Sequence, residues 1–224
     1  MPIETDPIDS NMKIHEIVYK IMLEKDISLD DYSWSYIVDY IKGERNIKIT
    51  PYLFEEVTNE LVSGMIVKTP KRIGIYYNSR LPKGRQWFTI CHEIIHALLH
   101  LDQSAPFQQL FETNDMPVSV EDRFIEDEAN LGSSIIMAPD VIICHHMKSN
   151  VSFPKMAEIF EMTEPALFVR LKNFLILNCS LNEDLARHTV SAFRYSGDKS
   201  NFRLFLHGFG SNVEKNIYHI YENS

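Results

Sequence analysis

Apolar positions recur at helical spacing near the start of the chain. Over residues 11–27, Ile14, Ile17, Val18, Ile21 and Met22 fall on one face and predict an amphipathic helix. Residues 31–42 predict a second, with Trp34, Ile37, Val38 and Ile41 together and Gly43 as its stop. The pattern then changes: IKITPYLF, LVSGMIVK and RIGIYYNS, between 46 and 79, are rich in β-branched and aromatic residues. TPKR between the last two predicts a hairpin, so a small, mainly antiparallel three-stranded sheet is expected here.

From 85 the period is helical again, with Phe88, Cys91, Ile95, Leu98 and Leu99 as the apolar side. Residues 102–120 hold Pro106, Asn114 and Pro117 and little periodicity, which predicts a long loop. Helices follow at 121–137, from Asp140 to His145, at 153–162 and at 164–178, where Thr163 is an N-cap and Pro165 sits in the first turn. HTVSAFRYS and NFRLFLHGF, within 186–209, read as strands, and VEKNIYHIY as a short helix. The fold class expected is α+β with a helical majority. The expected organisation is an N-terminal helical segment (1–45), a central domain (46–180) and a mixed α/β appendage (181–224). Aromatic residues in that appendage predict a small core of its own.

Composition narrows the options. The chain is 45% hydrophobic and 24% charged, enough for both a core and a solvated surface. Its net charge of −9 disfavours the counterion-driven binding that nucleic acids require, so direct nucleic-acid contact is not expected. Three cysteines without clip spacing suggest a reducing compartment. The acidic start MPIETDPIDS lacks a secretory pattern, and no apolar run is long enough to span a bilayer. A cytoplasmic protein without membrane contact is expected.

The chemistry concentrates at His92-Glu93-Ile94-Ile95-His96. Residues four apart on a helix project to the same side one turn apart, so both imidazoles can reach one ion. Glu93 then flanks the site, where it can act as general base without ligating. A catalytic zinc takes three protein ligands and keeps one position open. His100 is excluded as the third, because it lies about 12 Å from His92 along a continuous helix. Cys91 is rotated about 100° from His92. Of His145 and His146 at most one can face a site. Glu126 and Asn130 share a helix face, with Glu128 off it. By spacing alone, Glu126 is either a carboxylate ligand with Asn130 beside it to orient an imidazole, or part of a solvated acidic first turn.

RQWFTICHEIIHALLH followed by EDEANLGSSIIMAP resembles the ImmA/IrrE family of metallopeptidases. Arg85, Phe88, Thr89, His92, Glu93, His96 and His100 fit its R-x-x-F-T-x-x-H-E-x-x-H-x-x-x-H segment. Glu126, Ala129, Asn130, Ile136 and Pro139 fit its second segment. Ala157, Phe160, Ala166, Leu167, Arg170 and Leu171 are similar to its downstream helix pair, so the likeness runs over about 60–180. The pattern departs at Trp87, Ile95 and Gly132-Ser133. The resemblance implies a gluzincin-like fold with a small sheet beside the active-site helix. It implies Zn²⁺ held by His92, His96 and Glu126, Glu93 as catalytic base and Asn130 as imidazole-orienting partner. It also implies a protein substrate, of which helix-turn-helix repressors are the characterised kind. Tyr76, Tyr77 and His145 are candidates for stabilising an oxyanion. The competing class is a non-proteolytic zinc-binding regulator or sensor, acting on DNA or protein through the 153–178 helix pair with Lys155, Arg170 and Lys172.

Overall fold

The computed structural model describes residues 7–54, 62–102, 104–113 and 120–206. The chain divides into two compact units, one spanning Ser35–Ser134 and the other joining Pro7–Trp34 to the chain from Ile135 onward. The α+β class with a helical majority is borne out. Among the described residues, no helix is long and apolar enough to cross a membrane.

In the first unit, helix α2 (Trp34–Glu44) leads into strands β1 (Ile47–Tyr52), β2 (Val62–Lys68) and β3 (Ile73–Asn78), and then helix α3 (Lys83–Ile95). Gly43 lies within α2 rather than after it; the left-handed residue that turns the chain into β1 is Asn46, at φ 52°. Asn and Gly are the residues that tolerate this conformation at helix ends. The β2–β3 hairpin forms as the TPKR turn predicts, with Lys68 opposite Ile73 and the Thr69 amide donating to the Arg72 carbonyl at 3.0 Å.

The sheet differs from expectation in two details. It has four strands in the order β1-β3-β2-β4, and β1 pairs with β3 in parallel. The extra strand β4 (Gln108–Thr113) pairs antiparallel with β2 and lies within the segment expected to be a loop. Four of its six residues QQLFET are polar and it lies close to Pro106 and Pro117, so local pattern hides it. What orders β4 is the open edge of β2, whose backbone groups need partners. Ile66 and Ile75 of the sheet and Ile94 of α3 are fully buried, and α3 packs on β2 and β3. The motif helix is thereby seated on a rigid platform.

After α3 the backbone widens into a single π-helical turn at His96–His100, closed by the Leu101 amide donating to the His96 carbonyl at 3.0 Å. The helix is therefore not continuously α-helical through His100. Helix α4 (Val120–Met137) completes the unit as far as Ser134.

The second unit holds α1 (Pro7–Glu24), α5 (Asp140–Lys148), α6 (Phe153–Ile159), α7 (Glu164–Cys179), α8 (Glu183–Ser196) and helical residues 200–206. Side chains of Ser152 and Thr163 cap α6 and α7, and a proline follows each in the first turn. Segments 188–196 and 201–206, expected as strands, are helical. Ala186, Thr189, Val190 and Phe193 are buried at helical spacing, and Asn182 and Gly197 cap α8 at its two ends. The VEKNIYHIY segment lies outside the described residues. Phe153 meets Phe193 edge-on at 5.2 Å and Phe174 stacks on Phe202 at 5.8 Å, so the aromatic residues fill this unit's core.

Buried ionic contacts organise the second unit. Arg170, fully buried, donates from its guanidinium to Asp140 Oδ1 at 2.5 Å and from Nε to the Ala138 carbonyl at 3.0 Å. His15 Nε2 lies 3.2 Å from Asp140 Oδ2. Burial would raise the Asp140 pKa, but the charges of His15 and Arg170 outweigh it and hold the carboxyl below its ordinary value. Lys172 pairs with Glu183 at 2.7 Å and Lys155 with Glu158 at 2.9 Å. The three cations considered for a nucleic-acid role thus all have carboxylate partners.

Candidate metal centre

Three donor atoms converge within the first unit. His92 and His96 sit one turn apart on α3 and the start of the π turn, and their Nε2 atoms are 2.9 Å from each other. Glu126, on α4, brings Oε2 to 3.1 Å from His92 Nε2 and Oε1 to 3.4 Å from His96 Nε2. These form the one group among the described residues that could hold a metal ion. A tetrahedral ion with bonds of about 2.0–2.1 Å needs donors about 3.3–3.4 Å apart. The observed separations fall at or just under that value, so small side-chain adjustments admit an ion.

Protonation states suit a cation. Burial pushes the His96 imidazole down to about 4, against the opposing contact with the Glu126 carboxylate. Desolvation would raise the Glu126 carboxyl, but its contacts with His92 and His96 outweigh that and hold it down at about 2. Neutral imidazole and ionised carboxylate are the forms that ligate.

Glu93 points into the protein beside this group. It is fully buried, and neither carboxylate oxygen has a hydrogen-bond partner. Burial first, then the charges of Glu112 and Glu126, push its pKa well above the ordinary carboxylate value. An unpartnered buried carboxyl is costly to stability and marks a functional site when it lies beside metal donors. Space for it comes from Gly64 on β2: a Cβ there would stand 2.8 Å from Glu93 Oε1 and 2.4 Å from Thr89 Cγ2.

Residues 46–140 match a peptidase family described as the IrrE N-terminal-like domain. Over that span the chain is similar to an IrrE N-terminal-like peptidase domain. No curated protein matches the chain significantly. The resemblance drawn from the sequence is borne out over this span, which contains the three donors and Glu93. The match ends at Asp140, before helices α6 and α7.

Other sequence candidates are distributed differently. Asn130 is exposed, and its side chain makes no hydrogen bond among the described residues; His92 Nδ1 is buried without a partner. His145 belongs to the second unit, where it contacts Asp30 at 2.7 Å. Tyr76 and Tyr77 lie on β3 of the first unit, with Tyr76 edge-on to Tyr52.

Sequence reasoning missed three participants. His100, set aside as a ligand, meets His96 through a ring nitrogen, and Glu128 meets His100 in turn. Glu112 of β4 is buried beside Arg85, which donates to it at 2.6 Å and to Ser63 at 3.1 Å. His100 and Glu128 were legible as polar residues at the fourth position after His96 and the second after Glu126. Glu112 had no local signal, since its strand was not anticipated.

Proposed function

We propose that this IrrE N-terminal-like domain is a zinc-dependent endopeptidase acting on a cytoplasmic regulatory protein, a helix-turn-helix repressor being the expected kind. The observation that carries it is the convergence of His92, His96 and Glu126 within 2.9–3.4 Å beside the unpartnered carboxyl of Glu93. Two imidazoles and one carboxylate suit zinc, which favours nitrogen and oxygen donors in four-coordinate sites.

Bound zinc would supply Lewis acidity, making water nucleophilic near neutral pH and polarising the scissile carbonyl. His92, His96 and Glu126 would hold the ion from two helical segments of one unit. Glu93 accepts a proton from the attacking water and delivers it to the leaving amine. Its raised pKa, caused first by burial, brings the carboxyl closer to neutrality, where such an exchange runs most readily. The absence of a side chain at Gly64 leaves the room that the buried Glu93 carboxyl occupies.

The test is incubation of the zinc-loaded chain with a repressor encoded beside it, in parallel with E93Q. Cleavage by the parent, and zinc bound without cleavage by E93Q, is the expected result. Equal cleavage by E93Q contradicts the role of Glu93. Zinc binding without cleavage by the parent favours the sensor class.

A further inference from the structure

Beyond the three donors, His96 is tied to two further side chains. His100 Nδ1 lies 2.8 Å from His96 Nδ1, and His100 Nε2 lies 2.7 Å from Glu128 Oε2. Both members are sheltered, with side chains 5% and 10% exposed, unlike an ordinary surface pair. The π-helical turn ends at His100, and its imidazole stands edge-on to that of His96 at 4.8 Å between ring centroids. Single π turns are rare and occur frequently at functional sites.

For neutral imidazoles, the chain of contacts selects where each proton sits. A carboxylate only accepts, so Glu128 requires the proton of a neutral His100 on Nε2. His100 Nδ1 then carries a lone pair and accepts from His96 Nδ1–H. That leaves the lone pair of His96 on Nε2, the atom facing Glu126 and His92. Every donor in the series has one acceptor. His92 has no such support, because its Nδ1 is buried without a partner.

We propose that His100 and Glu128 are positioning residues that fix the tautomer and ring orientation of His96 for metal binding. This rests on His92, His96 and Glu126 being the metal site. It reassigns the orienting task given to Asn130 on sequence grounds, and it gives the widened turn a purpose. Outer partners of ligating histidines typically tune metal affinity by about 10–100-fold.

The experiment titrates the full metal-free chain with zinc against a chromophoric chelator and repeats it for H100F, H100N, E128Q and H92A. H100F removes the acceptor, and its zinc affinity is expected to fall by about 10–100-fold. H100N keeps an acceptor at the Nδ1 position and should bind more tightly than H100F. E128Q keeps an acceptor but loses the charge, and should fall between H100F and the parent. In the cobalt-loaded chain, H100F should also shift the visible absorption bands. A pair that only stabilises the fold would lower the melting temperature and leave zinc affinity unchanged. That result, or H100N binding no better than H100F, overturns the proposal. Should H100F fail to fold, E128Q decides: parental affinity in that variant overturns it. A parent that binds no zinc, or H92A binding as tightly as the parent, instead removes the metal site itself and the proposal with it.

Discussion

Replacing Gly64 by alanine adds a single methyl group at the tightest point of the site. That Cβ would stand 2.4 Å from Thr89 Cγ2, 2.8 Å from Glu93 Oε1 and 3.4 Å from Glu93 Cγ. Carbon atoms at rest stay about 3.5–4.0 Å apart, so the Thr89 contact alone is short by more than about 1 Å. Neither side can yield easily. Gly64 is held in β2 opposite Tyr77 on one flank and Glu112 on the other, and Thr89 and Glu93 are fully buried on α3. Overpacking of this kind costs about 1–3 kcal/mol. For a chain of this size that lowers the melting temperature by roughly 2–12 °C. A displacement of about 1 Å at a catalytic group can cost on the order of 10²-fold in rate. Zinc affinity should hardly change, because the clash falls on Thr89 and Glu93 and not on the three donors. The second variant G64A/T89S removes the Cγ2 contact but keeps the one with Glu93 Oε1. It should recover much of the stability and little of the proteolysis. Calorimetry and chelator competition read the two effects separately. A G64A chain with parental melting temperature and activity would refute the claim that Gly64 makes room for Glu93.

Further outcomes follow from the same geometry. E93Q should retain zinc and melt no lower than the parent, because it removes a buried charge that burial, Glu112 and Glu126 all disfavour; a large drop in melting temperature would contradict this. R85Q should destabilise the chain by about 1–3 kcal/mol by leaving buried Glu112 without its cation, discounted because Arg85 is 38% exposed. Denaturant titration measures this, and an unchanged midpoint would show that the pair contributes nothing. Asp140, whose pKa lies below its unfolded value, contributes stability that is fully present above about pH 4 and fades as pH falls through the folded value. The gap in melting temperature between parent and D140N should therefore narrow below about pH 4; a constant gap down to pH 3 would contradict the Asp140 assignment. Saturating zinc at about 100 times its dissociation constant should stabilise the folded chain by about 2.7 kcal/mol. That increment should vanish in H92A, and its persistence there would locate the ion elsewhere.

The candidate metal site was legible in the sequence because its signals are local. His92 and His96 share a helix face by spacing alone, and the β2–β3 hairpin was written in TPKR. Glu126 needed more, since spacing left it equal between a ligand and a solvated first turn; family resemblance selected it, and the geometry brings it within 3.4 Å of both imidazoles. What stayed hidden depends on partners distant along the chain. Strand β4 exists because β2 offers an open edge, and Glu112 becomes visible only with it. Helix α8 was mistaken for a strand because Thr189, Val190 and Phe193 favour strands locally, while its Asn182 and Gly197 caps carried the correct signal. The π turn has no sequence mark, and the local pattern alone reads as a helix continuous past His96.

The most direct test of the central claim is a zinc-edge anomalous difference map from crystals of the zinc-loaded chain. The account predicts one strong peak contacted by His92 Nε2, His96 Nε2 and a Glu126 carboxylate oxygen, with Glu93 beside it and not ligating. A peak elsewhere, or a Glu126 side chain turned to solvent while another residue completes the coordination, would contradict it.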